Sequence, residues 1–253
     1  MINENIHKKA VGLDTEKHRK LRLRIDARDP AMAAHLNAVF VACAEFAEIC
    51  REVPIVWIQA GNGPDGKPAV APIAMLGLKT GENLCLHPDG RWRTRYVPVM
   101  LRLYPFAMVR VGENQLVVCF DESWSGFSQT EGEALFESDG KPTDFLKRIQ
   151  TQLEDFEMEV ERTRLAGAKL MEKGLLRDMR FDATLPDGSK LGVDGFLTID
   201  DEKLAKMSDA DAVELNRMGL LGLIHAHQIS LGNTHKLVEW MMEQQPGAAA
   251  VPA

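Results

Sequence analysis

Tyrosine is nearly missing from this chain. Only two of its 253 residues are tyrosines, and both fall in one stretch, Tyr96-Val97-Pro98-Val99-Met100-Leu101-Arg102-Leu103-Tyr104-Pro105-Phe106. Cysteine is sparse too: Cys43, Cys50, Cys85 and Cys119 are scattered and form no CxxC pair. Cys43 and Cys50 share a face of a helical pattern but lie too far apart to bridge. Free buried thiols in a reducing compartment are therefore the expectation. No apolar run is long enough to span a bilayer, so no membrane insertion is expected. The start, Met1-Ile2-Asn3-Glu4-Asn5, is polar and has no apolar region of the kind a secretory signal needs. A cytoplasmic location follows as the expectation.

Catalytic signatures are missing as well. There is no P-loop and no glycine-rich dinucleotide fingerprint, and Gly61-x-Gly63 is a lone turn. Ser123, Ser125, Ser128 and Ser230 lie outside any GxSxG context, and no cysteine sits in a nucleophile motif. Positive charge is not in excess: the net charge of -7 gives no electrostatic case for nucleic-acid binding. One basic cluster runs from His18 to Arg28, alternating Arg with Leu and Ile. It reads as the solvent face of a strand, with a phosphate-binding patch as the alternative. No cofactor or metal is expected.

What is present suits a globular protein with a substantial core: 45% of residues are hydrophobic and 26% charged. In the Tyr96–Phe106 stretch each proline fixes φ, removes a backbone donor and turns its predecessor away from helix. The stretch reads as a kinked, packed connection between two sheet regions. Residues 1–19 show no periodicity and read as a mobile tail. Leu21, Leu23 and Ile25 alternate with arginines, as in a half-buried strand. Asp29-Pro30 is a good helix start, and Met32, Leu36, Val39, Phe40, Cys43, Ala47 and Cys50 then recur at helical spacing, predicting a helix to Arg51.

Hairpin signals follow. Ile55–Ile58 and Val70–Leu78 flank the turn Gly61-Asn62-Gly63-Pro64-Asp65-Gly66, and Met108–Val111 and Leu116–Phe120 flank Gly112-Glu113-Asn114. Pro-Asp-Gly recurs at residues 88–90 and 186–188, where Pro presets the turn and Gly takes positive φ. Residues 121–142 read as a long loop. A helix capped by Thr143 or Asp144 runs to Lys173, with Gly174 beyond it; Phe145, Ile149, Leu153, Phe156 and Val160 mark its core face. A hairpin, a short helix from Asp201 to Met207, a very apolar helix opened by Ser208 and expected to be the most buried of the set, and a last helix to Gln244 complete the chain. The expected fold is α+β: a mainly antiparallel sheet of short hairpins packed with a long central helix and a C-terminal helical group. It forms one domain over 20–245, with a soft boundary near 142 and a disordered tail at 246–253.

Six residues stand out as ligand-binding candidates. Arg102 lies between two leucines, so its guanidinium must snorkel, pair with Asp121 or Glu122, or bind an anion. Tyr104 closes the same stretch. Asp121, Glu122 and Trp124 follow the strong strand Val117–Phe120, where either a ligand contact or a plain strand cap fits. His227 belongs to an HxH pair with His225. On a helix the two diverge by about 200° and cannot share a metal, so one packed and one surface histidine is expected.

The order of these features carries a resemblance. Pro54-Ile55-Val56-Trp57, Pro72-Ile73-Ala74-Met75-Leu76-Gly77-Leu78, Trp92, Tyr96-Val97-Pro98 with Arg102-x-Tyr104-Pro105-Phe106, Asp121-Glu122-Ser123, Gly195-Phe196-Leu197-Thr198-Ile199-Asp200 and Ala226-His227-Gln228-Ile229-Ser230-Leu231-Gly232-Asn233 together resemble the SapC-like family of bacterial proteins over residues 20 to 242. Leu103 departs from the pattern, since many relatives are expected to carry a second arginine there. The resemblance implies a link to a bacterial surface layer, and loci shared with TonB-dependent receptors, cupin-like proteins and flavin-dependent halogenase-like proteins. It implies no established catalytic residue.

Three functions are carried forward. The first is a non-enzymatic cytoplasmic accessory or binding protein of a surface-layer or nutrient-uptake system, holding a small carboxylate, a peptide or a protein partner near Arg102, Tyr104, Asp121 and Trp124. The second is an enzyme or enzyme partner subunit acting on a peptide or small metabolite; there Arg102 orients a carboxylate and Asp121, Glu122 or His227 acts as base. The third is export without a signal peptide, against which the free thiols weigh. The apolar C-terminal helices also suggest a homodimer.

Overall fold

The computed structural model describes residues 1–24, 30–63, 66–112, 115–184 and 190–244. Ile25, the Asp29 cap, Pro64-Asp65, Glu113-Asn114, the turn at 186–188 and the tail at 246–253 lie outside the described residues. In chain order the elements are β1 (Ala10–Gly12), β2 (Arg22–Leu23), β3 (Ala38–Phe40), α1 (Phe46–Ile49), β4 (Ile55–Asn62), β5 (Pro68–Met75) and α2 (Val99–Leu103). Next come β6 (Phe106–Val111), β7 (Gln115–Asp121), β8 (Phe127–Ser128), β9 (Glu133–Ala134) and α3 (Asp144–Glu172). The chain continues through β10 (Leu176–Thr184), β11 (Lys190–Ile199), α4 (Asp201–Ala205), α5 (Asp209–Arg217), α6 (Leu220–Leu231) and α7 (Thr234–Glu243). Among the described residues every strand pairing is antiparallel, so the fold is α+β.

The residues divide into two compact units, each assembled from two chain segments: Met1–Ala33 with Val99–Met158, and Ala34–Pro98 with Glu159–Ala253. The first contains the three-stranded sheets β1-β7-β6 and β8-β2-β9. Its core gathers Leu23, Phe106, Met108, Phe120, Trp124, Leu135, Phe136, Leu146 and Leu153. Aromatic rings meet edge to face across it: Trp124 on Phe127 at 5.2 Å and Phe120 on Phe127 at 4.9 Å between centroids, the orientation favoured by the ring quadrupoles. Thr143 caps the start of α3, its hydroxyl accepting the Leu146 amide at 3.2 Å.

Two expectations are corrected in this unit. The segment 1–19, read as a tail, is built into the sheet: Ala10 lies opposite Asp121 and Gly12 opposite Cys119, while Ile6 is only 2% exposed. Its apolar residues are too few for a periodic signal, yet the open side of β7 supplies the pairing it needs. The supposed loop 121–142 contributes β8 and β9 to the flanks of β2 and buries Trp124, Leu135 and Phe136.

The second unit is a five-stranded sheet, β10-β11-β4-β5-β3, covered by helices whose buried faces include Phe46, Ile49, Leu215, Ile224 and Leu237. The hairpin β4–β5 appears as expected, and so does the turn at 88–90, where Gly90 has φ 84° and the Arg91 amide donates to Asp89 at 3.1 Å. The helix expected from Pro30 to Arg51 does not exist. A 3-10 turn at Pro30–Ala33 leads into β3, which pairs β5, and only Phe46–Ile49 is α-helical. Val39-Phe40-Val41 is β-branched and aromatic, and the edge of β5 offers it a ladder, so tertiary pairing overrides a helical period. Leu36, Val39 and Cys43 are buried all the same.

The long apolar helix after Ser208 is likewise divided. Ser208 caps α5, accepting the Asp211 amide at 3.2 Å, but Gly219, at φ 74°, ends that helix and restarts the chain as α6. Val213 and Met218 stand 49% and 48% exposed and Ile229 67% exposed, so this is not the most buried helix expected. Gly222, inside α6 and with open space around its Cβ position, provides a contrast. Gly222→Ala should stabilise the protein by about 0.5–1 kcal/mol, whereas Gly219→Ala should destabilise it by about 1 kcal/mol or more, because L-residues resist positive φ. Urea unfolding of the two variants checks the opposite signs.

Candidate functional site

β7 ends on Asp121, and the chain places donors around its carboxylate from three directions. Oδ1 accepts the Lys9 amide at 3.0 Å, the Ser123 amide at 3.1 Å and the Ser123 hydroxyl at 2.6 Å. Oδ2 accepts the Lys8 amide at 3.2 Å and the Tyr104 hydroxyl at 3.0 Å. The backbone takes part as well, the Asp121 amide donating to the Pro105 carbonyl at 2.9 Å and the Trp124 amide to the Asp121 carbonyl at 3.1 Å. Asp121 is 0% exposed. Burial pushes its carboxyl up, but the hydrogen bonds from Ser123, Lys9 and Tyr104 outweigh that and hold it below the ordinary range.

Tyr104 is the counterpart. Burial first, then its bond to the Asp121 carboxylate and that charge, push the phenol well above its ordinary value. Its ring meets Trp124 at 6.2 Å and His7 at 5.7 Å between centroids. His7 is buried, and that burial lowers its pKa. Three sequence candidates, Tyr104, Asp121 and Trp124, thus come together. Glu122 lies just outside, exposed, with its carboxylate 2.7 Å from Lys9 Nζ, a contact that lowers its pKa. Arg102 sits exposed in the last turn of α2, and neither carboxylate proposed as its partner waits for it: Asp121 is surrounded by other donors and Glu122 by Lys9. Sequence reasoning missed His7 and the Lys8 and Lys9 amides, since backbone donors leave no mark in residue type.

His227 belongs to the other unit. It is 1% exposed on α6, with Nε2 2.9 Å from the Thr198 hydroxyl and accepting the Ile199 amide at 3.3 Å. Beside it the Ser230 hydroxyl accepts the Ile55 amide at 2.9 Å and donates to the His227 carbonyl at 2.6 Å. These bonds fasten α6 to β4 and β11. His225 is exposed, its Nδ1 2.9 Å from Gln228 Oε1, so the pair splits into one packed and one surface histidine. Among the described residues no group of His, Cys, Asp or Glu is arranged to hold a metal. All four thiols are buried and free, and burial pushes Cys43 to about 11 and Cys85 to about 12, values unsuited to a thiolate nucleophile.

Burial depresses His227 from 6.5 to about 4. A histidine with its folded pKa below its unfolded one stabilises the protein above pH 6.5 and loses that contribution as pH falls toward 4. Urea unfolding between pH 7 and 4 should therefore show stability declining, with about 3 kcal/mol attributable to this residue and a smaller loss of the same sign from His7. His227→Gln should cost stability at pH 7 and flatten the decline. Asp121, held below its ordinary value of 3.8, acts below this window.

Comparison with known proteins gives no match among curated proteins and none among solved structures. A family model described as SapC matches residues 13–237, most of the chain and both compact units. This chain is a member of the SapC family.

Proposed function

We propose that this SapC-family chain is a non-enzymatic binding or accessory protein of a surface-layer or nutrient-uptake system. The observation that carries the reading is the state of its most promising acid–base group. A general base needs a lone pair within reach of the substrate proton and a pKa near the working pH. Asp121 is enclosed, accepts donors from Lys8, Lys9, Ser123 and Tyr104, and is held low. His227 has the Thr198 hydroxyl and the Ile199 amide on Nε2 and is closed from solvent. The enzymatic alternative is left with Glu122, an exposed carboxylate paired to Lys9. Membership of the family supports the assignment to a surface-layer system.

In this reading the ligand is a small carboxylate or a peptide, met by the exposed guanidinium of Arg102 beside the half-buried Tyr104. Arginine suits the role because its planar fork matches a carboxylate with two parallel bonds. Thermal melts against amino acids, short peptides and other small carboxylates test it. A ligand at 100 times its dissociation constant should stabilise wild type by about 2.7 kcal/mol, a rise of roughly 5–10 °C for a protein of this size. Arg102→Ala should melt within about 2 °C of unliganded wild type, as a surface substitution does, and show no ligand shift. A shift that survives the substitution, an empty screen, or turnover of a peptide by wild type would each contradict the proposal.

A further inference from the structure

The five-stranded sheet ends on β10, a long strand with its partner β11 on one side only. Among the described residues, no other strand pairs with its outer edge. Long open edges are templates for pairing with another chain, and proteins commonly blunt them with charge. β10 carries such charges, Arg177, Asp178, Arg180 and Asp182, all exposed. Their order decides what they repel.

Alternation along the strand puts Asp178, Arg180 and Asp182 on one face and Arg177, Met179 and Phe181 on the other. The register with β11 shifts between Met179, opposite Phe196, and Phe181, opposite Val193; the extra residue falls on β11, so β10 keeps its alternation and the second face continues as an apolar stripe across both strands. On the polar face Arg180 is already engaged within the chain, 2.8 Å from Asp182 and 3.6 Å from Asp194. Asp178 has no hydrogen bond or ion pair among the described residues. It is the one carboxylate of the strand left over.

We infer that a second copy of this chain pairs antiparallel along the outer edge of β10, about a two-fold axis through Met179, joining the two sheets into one. A two-fold relating antiparallel strands stands perpendicular to the sheet, so it preserves each face and must pass through a residue position. With the axis at Met179, Asp178 of each copy lies directly opposite Arg180 of the other, and this happens twice. On the apolar face the two Met179 side chains meet, and Arg177 lies opposite Phe181. An axis at Asp178 sets two aspartates face to face. One at Arg180 sets two arginines face to face and Asp178 against Asp182. Like charges in directly opposed positions destabilise a sheet. An axis at Phe181 repeats across the seam the Arg180–Asp182 pairing that each chain already makes and leaves Asp178 without a cation. The edge charges thus turn away unrelated strands while fitting a copy of themselves.

Cysteine crosslinking of the full chain tests the register, because the four native cysteines are buried. Directly opposed side chains in a strand pair have Cβ atoms about 4.5–5.5 Å apart, within reach of a disulfide. Met179→Cys should give a disulfide-linked dimer under mild oxidation, and Phe181→Cys should not. Light scattering of wild type should show a concentration-dependent dimer of the 28.2 kDa chain. Asp178→Arg, at an exposed site without partners, should weaken that dimer roughly ten- to thirtyfold and suppress crosslinking in the Met179→Cys background. A wild type that stays monomeric, crosslinking at 181 instead of 179, or a dimer indifferent to Asp178→Arg would overturn the inference.

Discussion

A buried carboxylate with no ion pair among the described residues is the constraint on which the first unit depends. Asp121 replaces the water it loses with amides from Lys8 and Lys9, the amide and hydroxyl of Ser123, and the phenol of Tyr104. Hydrogen bonds to a charged group contribute roughly 1.5–3 kcal/mol each, and an uncompensated buried charge costs more than that. The N-terminal segment, the turn after α2 and the end of β7 must therefore all be in place at once. The pairing of β1 with β7 is a consequence of that requirement as much as of its own short ladder.

The second unit uses the same means with neutral groups. His227 and Ser230, one turn apart on α6, take up the amides of Ile199 and Ile55 and so register a helix against two strands. α6 has no charged residue and little polarity to orient it, so the polar clasp fixes which face turns inward. Its outer face, with Ile229, stays in solvent. In both units the polar residues that attract a functional reading hold the fold together. The binding role and the pairing of copies proposed above therefore rest on exposed groups, Arg102 in one unit and the edge of β10 in the other.

Much of the architecture was legible in residue order. The hairpins β4–β5 and β6–β7 follow from alternation and turn chemistry, and the bounds of α3 from Thr143 and Gly174. The helix read from Pro30 to Arg51 shows where the reasoning breaks down: an apolar repeat of three and four also fits a 3-10 turn, a strand and another turn when each contributes one buried residue. Gly219 was visible, but a lone glycine in an apolar run does not announce positive φ. The site was half legible. Tyr104, Asp121 and Trp124 were identified and do converge, whereas His227 lies in the other unit. The N-terminal donors could not be foreseen, because amides of Lys8 and Lys9 reach Asp121 through the backbone, whatever their side chains.

Asp121 clasps the N-terminal segment to β7. Native-state hydrogen exchange, read residue by residue on wild type and Asp121→Asn, measures this most directly, since it reports local opening separately from global unfolding. Asparagine keeps the shape but sets an NH2 group against donors. Protection of the Lys8, Lys9 and Val11 amides should collapse by at least a hundredfold, equivalent to about 2.7 kcal/mol, while the amides of β4 and β5 keep theirs. Unchanged protection at Lys8 and Lys9, or an even loss across both units, would contradict it.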